Sequence, residues 1–288
     1  MPRQGSIEEL LGDRFGEFKV IKSFDHNTEK HPHGEYFSVV TWNISNGFNI
    51  NRVIEALLGN PNLRKSDVFI LQEVDRFSRG SRGEDLAARL SAETACRGVY
   101  VTEFFKTLEG KRAEEGNLIL TKHPIANFSS LMLPSGYDWS SDPFEPGRLG
   151  DRHAIGISIN VGEKIIRVYG THLELVTDQH HRALQLRAII DDAAGFVDTP
   201  TIVGGDFNVY LKSERAITLL KSAGFDLEPY EKNTRATLND GRISRFPFTP
   251  DFIAARNLRL SSYHVVHVPG HPSDHNPVKA VYALPSHL

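Results

Sequence analysis

Apolar and polar positions follow two patterns along the chain, and each pattern predicts one kind of element. Continuous apolar runs, typical of strands buried on both faces, occur at YFSVVTWN (36–43), SDVFILQEV (66–74) and TPTIVGGDFN (199–208). Apolar residues at helical spacing predict a helix after a capping Asn49 and further helices around 84–95, 179–194 and 213–224. Strands and helices in alternation indicate an α/β protein.

The remaining apolar runs complete one layered domain. RHAIGISIN (152–160) and KIIRVYGTHL (164–173) predict a hairpin, and three more strands follow before the end of the chain. Because no linker separates the two sets of strands and helices, we expect helices that cover stacked sheets in a single domain over residues 36–285. Residues 1–35 are mostly polar and predict an N-terminal extension.

Composition limits the class of protein more than the reaction. Of the 288 residues 40% are hydrophobic, enough for a sizeable core. The formal charge of -3 provides no overall field that would attract nucleic acid or an anionic membrane, so any anion binding must be local. The single Cys96 excludes an internal disulfide and a cysteine-rich metal site. Without a signal peptide or a membrane-length apolar run, we expect a cytoplasmic protein with no stable membrane insertion, and nothing indicates an obligatory protein partner.

Polar side chains that suit phosphoester chemistry stand at the ends of several predicted strands. They are Asn43, Glu73, His172, Asp206, Asn208, Asp251, Asp274 and His275. Each alone is more often a turn residue or a hydrogen-bonded structural histidine. Because strand ends in layered folds converge on one rim, their joint occurrence predicts a site there.

The residue types at this rim suggest a division of labour. Glu73, Asn43 and Asp274 offer hard oxygen ligands of the kind that Mg²⁺ or Mn²⁺ prefers. Asp206 and Asn208, two residues apart in a predicted strand and therefore on one face, are candidates to activate and orient a water. His275 is a candidate phosphate donor whose other ring nitrogen faces Asp251.

The loop after LQEV carries three arginines, Arg76, Arg79 and Arg82. Guanidinium groups bind phosphate well, so we expect at least one of them, Arg76 or Arg79 in the first place, to contact substrate phosphate. The alternative is a set of surface ion pairs with Glu84 and Asp85, which follow closely in sequence.

Six motifs in this order, TWN, LQEV, EEGNLILTKHPI, THLE, GGDFN and SDHNP, resemble the endonuclease/exonuclease/phosphatase superfamily over about residues 36–284. That superfamily includes DNase I, exonuclease III, tyrosyl-DNA phosphodiesterase 2, inositol-polyphosphate 5-phosphatases and neutral sphingomyelinases. The resemblance implies a four-layer α/β sandwich of two packed, mainly antiparallel sheets flanked by helices, with a metal-dependent hydrolase site at one rim.

The resemblance also implies a role for each residue at the rim. It makes Glu73 the main metal ligand, with Asn43 and Asp274 near the ion. Asp206 and Asn208 become the pair that activates and positions the water. His172 and His275 become donors to phosphate, Asp251 orients His275, and Arg152 contacts phosphate. The implied cofactor is Mg²⁺ or Mn²⁺, and the implied substrate is a phosphoester.

The substrate is less defined than the reaction. Nucleic acid is favoured by the arginine loop and by a second basic segment with Lys106, whereas the near-neutral charge suits a small phosphoester or a short strand better. A lipid substrate becomes a rival if the aromatic residues of the insertion 131–150 are exposed. In the insertion 131–150, Tyr137, Trp139 and Phe144 are expected to stack on bases, lie on lipid or pack back on the domain. A scaffold without catalysis is the least favoured reading, because all the acidic and imidazole positions are occupied.

Overall fold

The computed structural model describes residues 21–27, 34–108, 111–141, 148–209, 214–227, 234 and 249–284. The strands in this part of the chain are β1 (Ile21–Asp25), β2 (Tyr36–Asn43), β3 (Val68–Arg76), β4 (Arg97–Leu108), β5 (Lys111–Thr121), β6 (Ile125–Met132), β7 (Arg148–Gly150), β8 (His153–Val161), β9 (Lys164–His172), β10 (Thr201–Asp206), β11 (Asp251–Arg256), β12 (Arg259–Val265) and β13 (Val278–Ala283). The α-helices are α1 (Ile50–Gly59), α2 (Leu86–Glu93), α3 (Gln179–Ala193) and α4 (Arg215–Ser222).

The strands form two sheets. The larger sheet has the order β1-β4-β5-β3-β2-β13-β12, with β7 added beside β4, and the smaller sheet has the order β11-β10-β9-β8-β6. The β2–β3 and β9–β10 pairs are parallel, and the other described pairs are antiparallel. The prediction of two mainly antiparallel sheets is therefore confirmed.

Three hydrophobic clusters hold four layers together. The central cluster lies between the sheets and includes Ile70 and Ile119 from the larger sheet and Ile157 and Val168 from the smaller one. A second cluster joins the larger sheet to α1 and α2, and a third joins the smaller sheet to α3 and α4. Each buried Leu, Ile or Phe contributes roughly 1.5–3 kcal/mol relative to exposure, so every helix is fixed by its apolar face. The expected four-layer sandwich is confirmed.

Two local expectations change. Part of the expected N-terminal extension belongs to the larger sheet, because β1 pairs with β4 from Ile21 to Asp25, while residues 1–20 lie outside the described part of the chain. Helix α1 begins after Asn49 as predicted, but the Asn49 side chain donates to the carbonyl of Pro272 (3.3 Å) and does not cap the helix. Within the described ranges, no helix combines the length and the apolar character that crossing a bilayer requires.

Candidate active site

The ends of three neighbouring strands form one wall of a pocket between the sheets. Asp206 ends β10 and lies in register with His172 of β9 on one side and with Asp251 of β11 on the other. Gly205 allows this close approach: its φ is 157°, and a β-carbon there would lie 1.9 Å from the carbonyl oxygen of Thr171. We call this arrangement the smaller-sheet wall.

Three side chains surround one oxygen of Asp206. Its Oδ2 lies 3.1 Å from Nδ2 of Asn43, 3.6 Å from Nε2 of His172 and 3.8 Å from Nε2 of His275. The other oxygen, Oδ1, accepts the backbone amide of Asn208 (3.0 Å). Burial and the charge of Asp251 raise the pKa of Asp206 above its usual range. Asp206 is thus a buried carboxyl group whose two oxygens are held by hydrogen bonds inside the pocket.

His275 is held as a cation between two carboxylates. It follows Asp274 in the loop before β13, and its Nδ1 faces Oδ2 of Asp251 at 2.7 Å. Burial alone lowers the pKa of His275, but the charge and hydrogen bond of Asp251 and the charge of Asp206 outweigh burial and raise that pKa to about 10. Both ring nitrogens therefore carry protons at neutral pH.

His172 is held in the opposite charge state. Burial and the positive charge of Arg152 lower the pKa of His172 well below its usual range. Arg152 donates from Nη1 to Nδ1 of His172 (3.1 Å) and to Oε2 of Glu103 (3.0 Å). Because a guanidinium only donates, Nδ1 must be the acceptor and the ring proton must lie on Nε2, which faces Asp206.

The opposite wall comes from the larger sheet and depends on a bulge. The register of β3 against β5 shifts between Leu71 and Val74, and Glu73 has a left-handed φ of 54°. Such a conformation costs of order 1–3 kcal/mol and occurs mostly at functional sites. The bulge turns Glu73 into the pocket, where Oε1 accepts Nδ2 of Asn43 (2.9 Å). We call this side the larger-sheet wall.

Negative charge is concentrated on the larger-sheet wall. Burial, the charge of Glu115 and the charge of Asp274 raise the pKa of Glu73 to about 7. Burial also acts on Glu115, but Arg148 and Lys106 outweigh it and lower the pKa of that residue. Glu115 is therefore ionised beside a half-buried Glu73, an arrangement that a bound divalent cation would stabilise.

Arg148 closes the pocket on the side of the aromatic insertion. It forms an ion pair with Glu115 and stacks on Phe104 (4.0 Å to the ring centroid) and Trp139 (4.6 Å). Trp139 is buried and donates Nε1 to Glu174 (2.9 Å), so it packs back on the domain. Tyr137 packs edge-on against Trp139, whereas Phe144 lies outside the described residues.

Two groups of side chains at this site could bind a metal ion. Glu73 and Asp274 both line the pocket of about 160 Å³ and present carboxylates. The ligand atoms of Asp206, Asp251 and His275 lie within 4.8 Å of one another, so this group also has metal-binding geometry. In the second group, however, Nδ1 of His275 already contacts Asp251 at 2.7 Å, which leaves the imidazole without a lone pair on that side when it is protonated.

The arginine loop differs from expectation. Arg76 lies at the end of β3, fully buried, and its guanidinium pairs with Asp85 (2.6 Å) and Glu114 (2.5 Å). The prediction that Arg76 contacts phosphate is therefore wrong. Of the ion-pair alternative, the pairing with Asp85 is found, but Arg76 is buried and its second partner is Glu114. Arg79 and Arg82 are exposed and are not among the residues that line the catalytic pocket. Lys106 of the second basic segment pairs with Glu115 (2.5 Å).

One further expectation is corrected by geometry, and the surroundings of Asn43 become clear. Asn208 does not share a strand face with Asp206, because β10 ends at Asp206 and Asn208 has a left-handed φ of 49°. Its Nδ2 donates to the carbonyl of Leu173 (2.8 Å). Asn43 points its amide nitrogen at Glu73 and Asp206, while its Oδ1 accepts the amide of Ser45 (3.0 Å). It therefore joins the two walls through its nitrogen, and its role as a metal ligand stays a prediction.

The pocket also contains residues that strand-end reasoning missed, namely Asn46, Glu115, Trp139 and Arg148. Asn46 donates to Asp75 (3.1 Å) and Glu115 (2.8 Å) from a left-handed turn. The acidic start of EEGNLILTKHPI was a signal for Glu115. No local signal marks Arg148, which reaches the pocket because β7 pairs with β4.

The sequence and the fold were compared with known proteins. A model of the endonuclease/exonuclease/phosphatase family matches residues 40–275. No curated protein matches the chain. Similar solved structures include an endonuclease/exonuclease/phosphatase from Beutenbergia cavernae DSM 12333, with 19% identity, a TM-score of 0.64 and coverage of 86% of this chain and 72% of that one.

Two further solved structures carry functional names of their own. The human Nocturnin catalytic domain, solved with a bound sulfate anion, shares 17% identity at a TM-score of 0.61 over 91% of this chain and 97% of that one. The mannosyl-6-phosphatase of Bacteroides thetaiotaomicron VPI-5482 shares 15% identity at a TM-score of 0.62 over 86% of this chain and 100% of that one. At such identities the likeness shows a common fold.

Proposed function

The chain belongs to the endonuclease/exonuclease/phosphatase family, whose members are generally hydrolases of phosphoesters, and from this premise we propose that it is a divalent-metal-dependent phosphoester hydrolase. In the proposed reaction a water attacks phosphorus in line with the leaving oxygen, and no covalent intermediate forms. The observation that carries the proposal is the environment of Asp206, whose Oδ2 faces Asn43, His172 and His275 within 3.8 Å.

Each group near Asp206 has a task in this reaction. Asp206 Oδ2 accepts the proton of the attacking water, while its Oδ1 stays fixed by the amide of Asn208. His275 is charged and His172 is neutral with its proton on Nε2, so both donate toward phosphoryl oxygens as charge develops on them. Arg152 lines the same pocket and donates to Nδ1 of His172, on the side of the ring away from Nε2.

The donor chemistry of the larger-sheet wall fits a hard divalent cation. Glu73 and Asp274 would hold Mg²⁺ or Mn²⁺, with Asn43 fixing the orientation of Glu73 by its hydrogen bond (2.9 Å). When bound, such an ion supplies Lewis-acid stabilisation of charge on phosphoryl oxygens. The concentration of carboxylates that raises the pKa of Glu73 supports this assignment.

Nucleic acid is the substrate class that we propose first, on the strength of exposed arginines beside the pocket. A small phosphomonoester is the second candidate, because two guanidinium groups, Arg148 and Arg152, line a pocket of only about 160 Å³. A lipid substrate has less support, since Trp139 of the aromatic insertion is buried.

Hydrolysis of bis(p-nitrophenyl) phosphate tests the reaction class. We expect turnover with Mg²⁺ or Mn²⁺ that EDTA abolishes and added metal restores. Absence of any metal-dependent signal on this ester, on p-nitrophenyl phosphate and on oligonucleotides would favour the scaffold reading. Comparing abasic and 5'-tyrosyl DNA, single-stranded RNA, sphingomyelin and inositol phosphates would then separate the substrate classes.

A further inference from the structure

A second depression lies beside the catalytic pocket and uses part of the arginine loop. This groove of about 550 Å³, here called the arginine groove, is lined by Phe48, Asn49, Ile50, Asn51, Arg52, Gly80, Ser81, Arg82, Glu84 and Arg89. Asn46 lines the catalytic pocket and Phe48 lines the groove. Two Cα steps separate these residues by at most roughly 7.6 Å. The catalytic pocket and the groove therefore have lining residues that are close neighbours on one short segment.

The arginine groove is locally positive in a chain whose formal net charge is -3. Three arginines and one acid, Glu84, line it. Arg89 is bound to Glu84 (3.0 Å) and Asn51 (2.5 Å), which leaves the excess charge on Arg52 and Arg82. Arg52 has a long contact with the carbonyl of Gly270 (3.5 Å), and Arg82 is exposed. Such a local surplus attracts an anion.

The same groove contains an unusually accessible aromatic ring. Phe48 is 70% exposed. A β-carbon on Gly80 would lie 3.5 Å from Cε1 of Phe48, so the ring rests against the arginine loop at one edge. An exposed aromatic ring in the same groove as guanidinium groups is a combination with which proteins bind unpaired bases together with their phosphates.

We propose that the arginine groove binds the nucleotide next to the scissile phosphate of a single-stranded nucleic acid. Its base stacks on Phe48, and Arg82 and Arg52 contact its phosphate. This rests on the proposed function and adds a substrate class, a strand of at least two nucleotides with an unpaired base, because a base inside a duplex is not free to stack on protein. A membrane is the weaker ligand, since Phe48 lines a concavity.

Binding separates this proposal from the reaction itself. A fluorescein-labelled octanucleotide, as DNA and as RNA, is titrated with the full chain in EDTA, and fluorescence anisotropy is measured; the matching duplex is titrated in parallel. Phe48→Ala should weaken single-strand binding about 5- to 150-fold, the equivalent of ~1–3 kcal/mol for one stacked base. Arg82→Gln should weaken it and reduce its salt dependence.

Matched controls are Phe128→Ala, an aromatic with 44% exposure on β6, and Arg187→Gln on α3, whose side chain is 60% exposed. Both should bind like wild type. Equal losses in Phe48→Ala and Phe128→Ala, equal affinity for duplex and single strand, or an effect of Phe48→Ala on phosphatidylserine vesicles alone would overturn the proposal. The protein could bind the single strand in a way that depends on Phe48 and yet hydrolyse no ester with metal. That result would contradict the proposed function but support the proposal that the groove binds a nucleotide.

Discussion

The smaller-sheet wall of the pocket is formed by strands in regular register, whereas the larger-sheet wall depends on a bulge and on buried ion pairs. His172, Asp206 and Asp251 lie side by side because β9 and β10 end, and the antiparallel β11 begins, at the same level. Glu73 reaches the pocket only through a left-handed residue that interrupts the β3 ladder. The first wall follows from sheet geometry, and the second requires local strain.

Several buried ion pairs surround the bulge at Glu73 in the larger-sheet wall. Beyond the bulge, Arg76 ties the end of β3 to Glu114 of β5 and to Asp85 at the start of α2. Arg148 and Lys106 compensate Glu115 next to Glu73. The proposed proton acceptor thus stands on the wall of regular strands, and the proposed cation ligands stand on the wall that contains several close buried charges. Variants on each wall should therefore fail in different ways.

The largest effect is expected on the smaller-sheet wall. Asp206→Asn should reduce kcat by up to about 10⁴-fold, the upper range for loss of a general base. Burial disfavours the charged form of Asp206 and raises its pKa. The neutral amide of Asp206→Asn avoids that cost, so the melting temperature of the variant should equal or exceed that of the wild type. Metal-dependent hydrolysis and thermal unfolding of the same preparation check both parts.

Asp191→Asn is the control, because Asp191 is exposed on α3 and pairs with Arg187 along the helix. It should keep wild-type turnover. If Asp206→Asn retained more than a small fraction of activity, Asp206 would not be the proton acceptor and the division between the two walls would fail.

On the larger-sheet wall, Glu73→Gln should lower turnover roughly 10²- to 10³-fold, since a catalytic ion supplies several kcal/mol of charge stabilisation. It should also remove the stabilisation of the wild type by Mg²⁺, which is about 2.7 kcal/mol at a concentration of 100 Kd. Melting temperature against Mg²⁺ concentration measures this independently of activity.

Glu163→Gln is the control, because Glu163 is exposed in the turn between β8 and β9. It should keep the full Mg²⁺ effect. If Glu73→Gln kept that effect and Asp251→Asn lost it, the ion would belong to Asp206, Asp251 and His275, and the comparison of the walls would be reversed.

The two walls also differ in how well sequence predicts them. The apolar runs place His172, Asp206 and Asp251 at one rim, because strand ends in layered folds converge there. Nothing in LQEV marks the bulge that directs Glu73. A one-residue shift reverses every side chain, so periodicity cannot give the orientation of Glu73.

Long-range pairing limits prediction in the same way. Arg76 was expected in a loop near phosphate, but β3 extends through it, and its partner Glu114 lies 38 residues away. Arg148 enters the pocket through the pairing of β7 with β4. Local sequence contains neither contact, whereas the patterns inside each element predict stacked sheets covered by helices, and the family resemblance implies the four layers.

A smaller effect should come from the contact behind His172. Arg152→Lys keeps the charge but cannot hold both Glu103 and Nδ1 of His172 as the guanidinium does. We expect about tenfold lower turnover, the value of one modest hydrogen bond. The Nε2–H tautomer of His172 should lose its exclusivity, which long-range nitrogen NMR of the histidine ring measures directly.

Arg148→Lys is the control for the NMR signature, because Arg148 lines the same pocket but stacks on Phe104 and Trp139. Its His172 spectrum should match wild type. An unchanged His172 spectrum in Arg152→Lys would contradict the role of the guanidinium and would mean that the strands of the smaller-sheet wall fix the tautomer without it.

The smallest effect on turnover is expected from the support of the bulged strand. Asp85→Asn removes the carboxylate that pairs with Arg76 (2.6 Å) but keeps a side chain that can cap α2, as Asp85 does through the amide of Ala88 (3.1 Å). Unfolding free energy should fall by about 1–3 kcal/mol, because a buried guanidinium loses one partner and keeps Glu114.

The same variant has a defined pH dependence. Burial alone raises the pKa of Asp85, but the hydrogen bonds and charge of Arg76 outweigh it and lower the pKa. A depressed carboxyl pKa stabilises the fold above the unfolded value of about 3.9, and this stabilisation is lost as pH falls through the folded value. Asp85→Asn should therefore reduce the dependence of the unfolding free energy on pH in the acid range, as measured by urea unfolding.

Asp178→Asn is the control for the loss of a helix cap alone, because Asp178 caps α3 by accepting the amide of His181 (2.9 Å). If both variants behaved alike, the larger-sheet wall would not need its ion pairs.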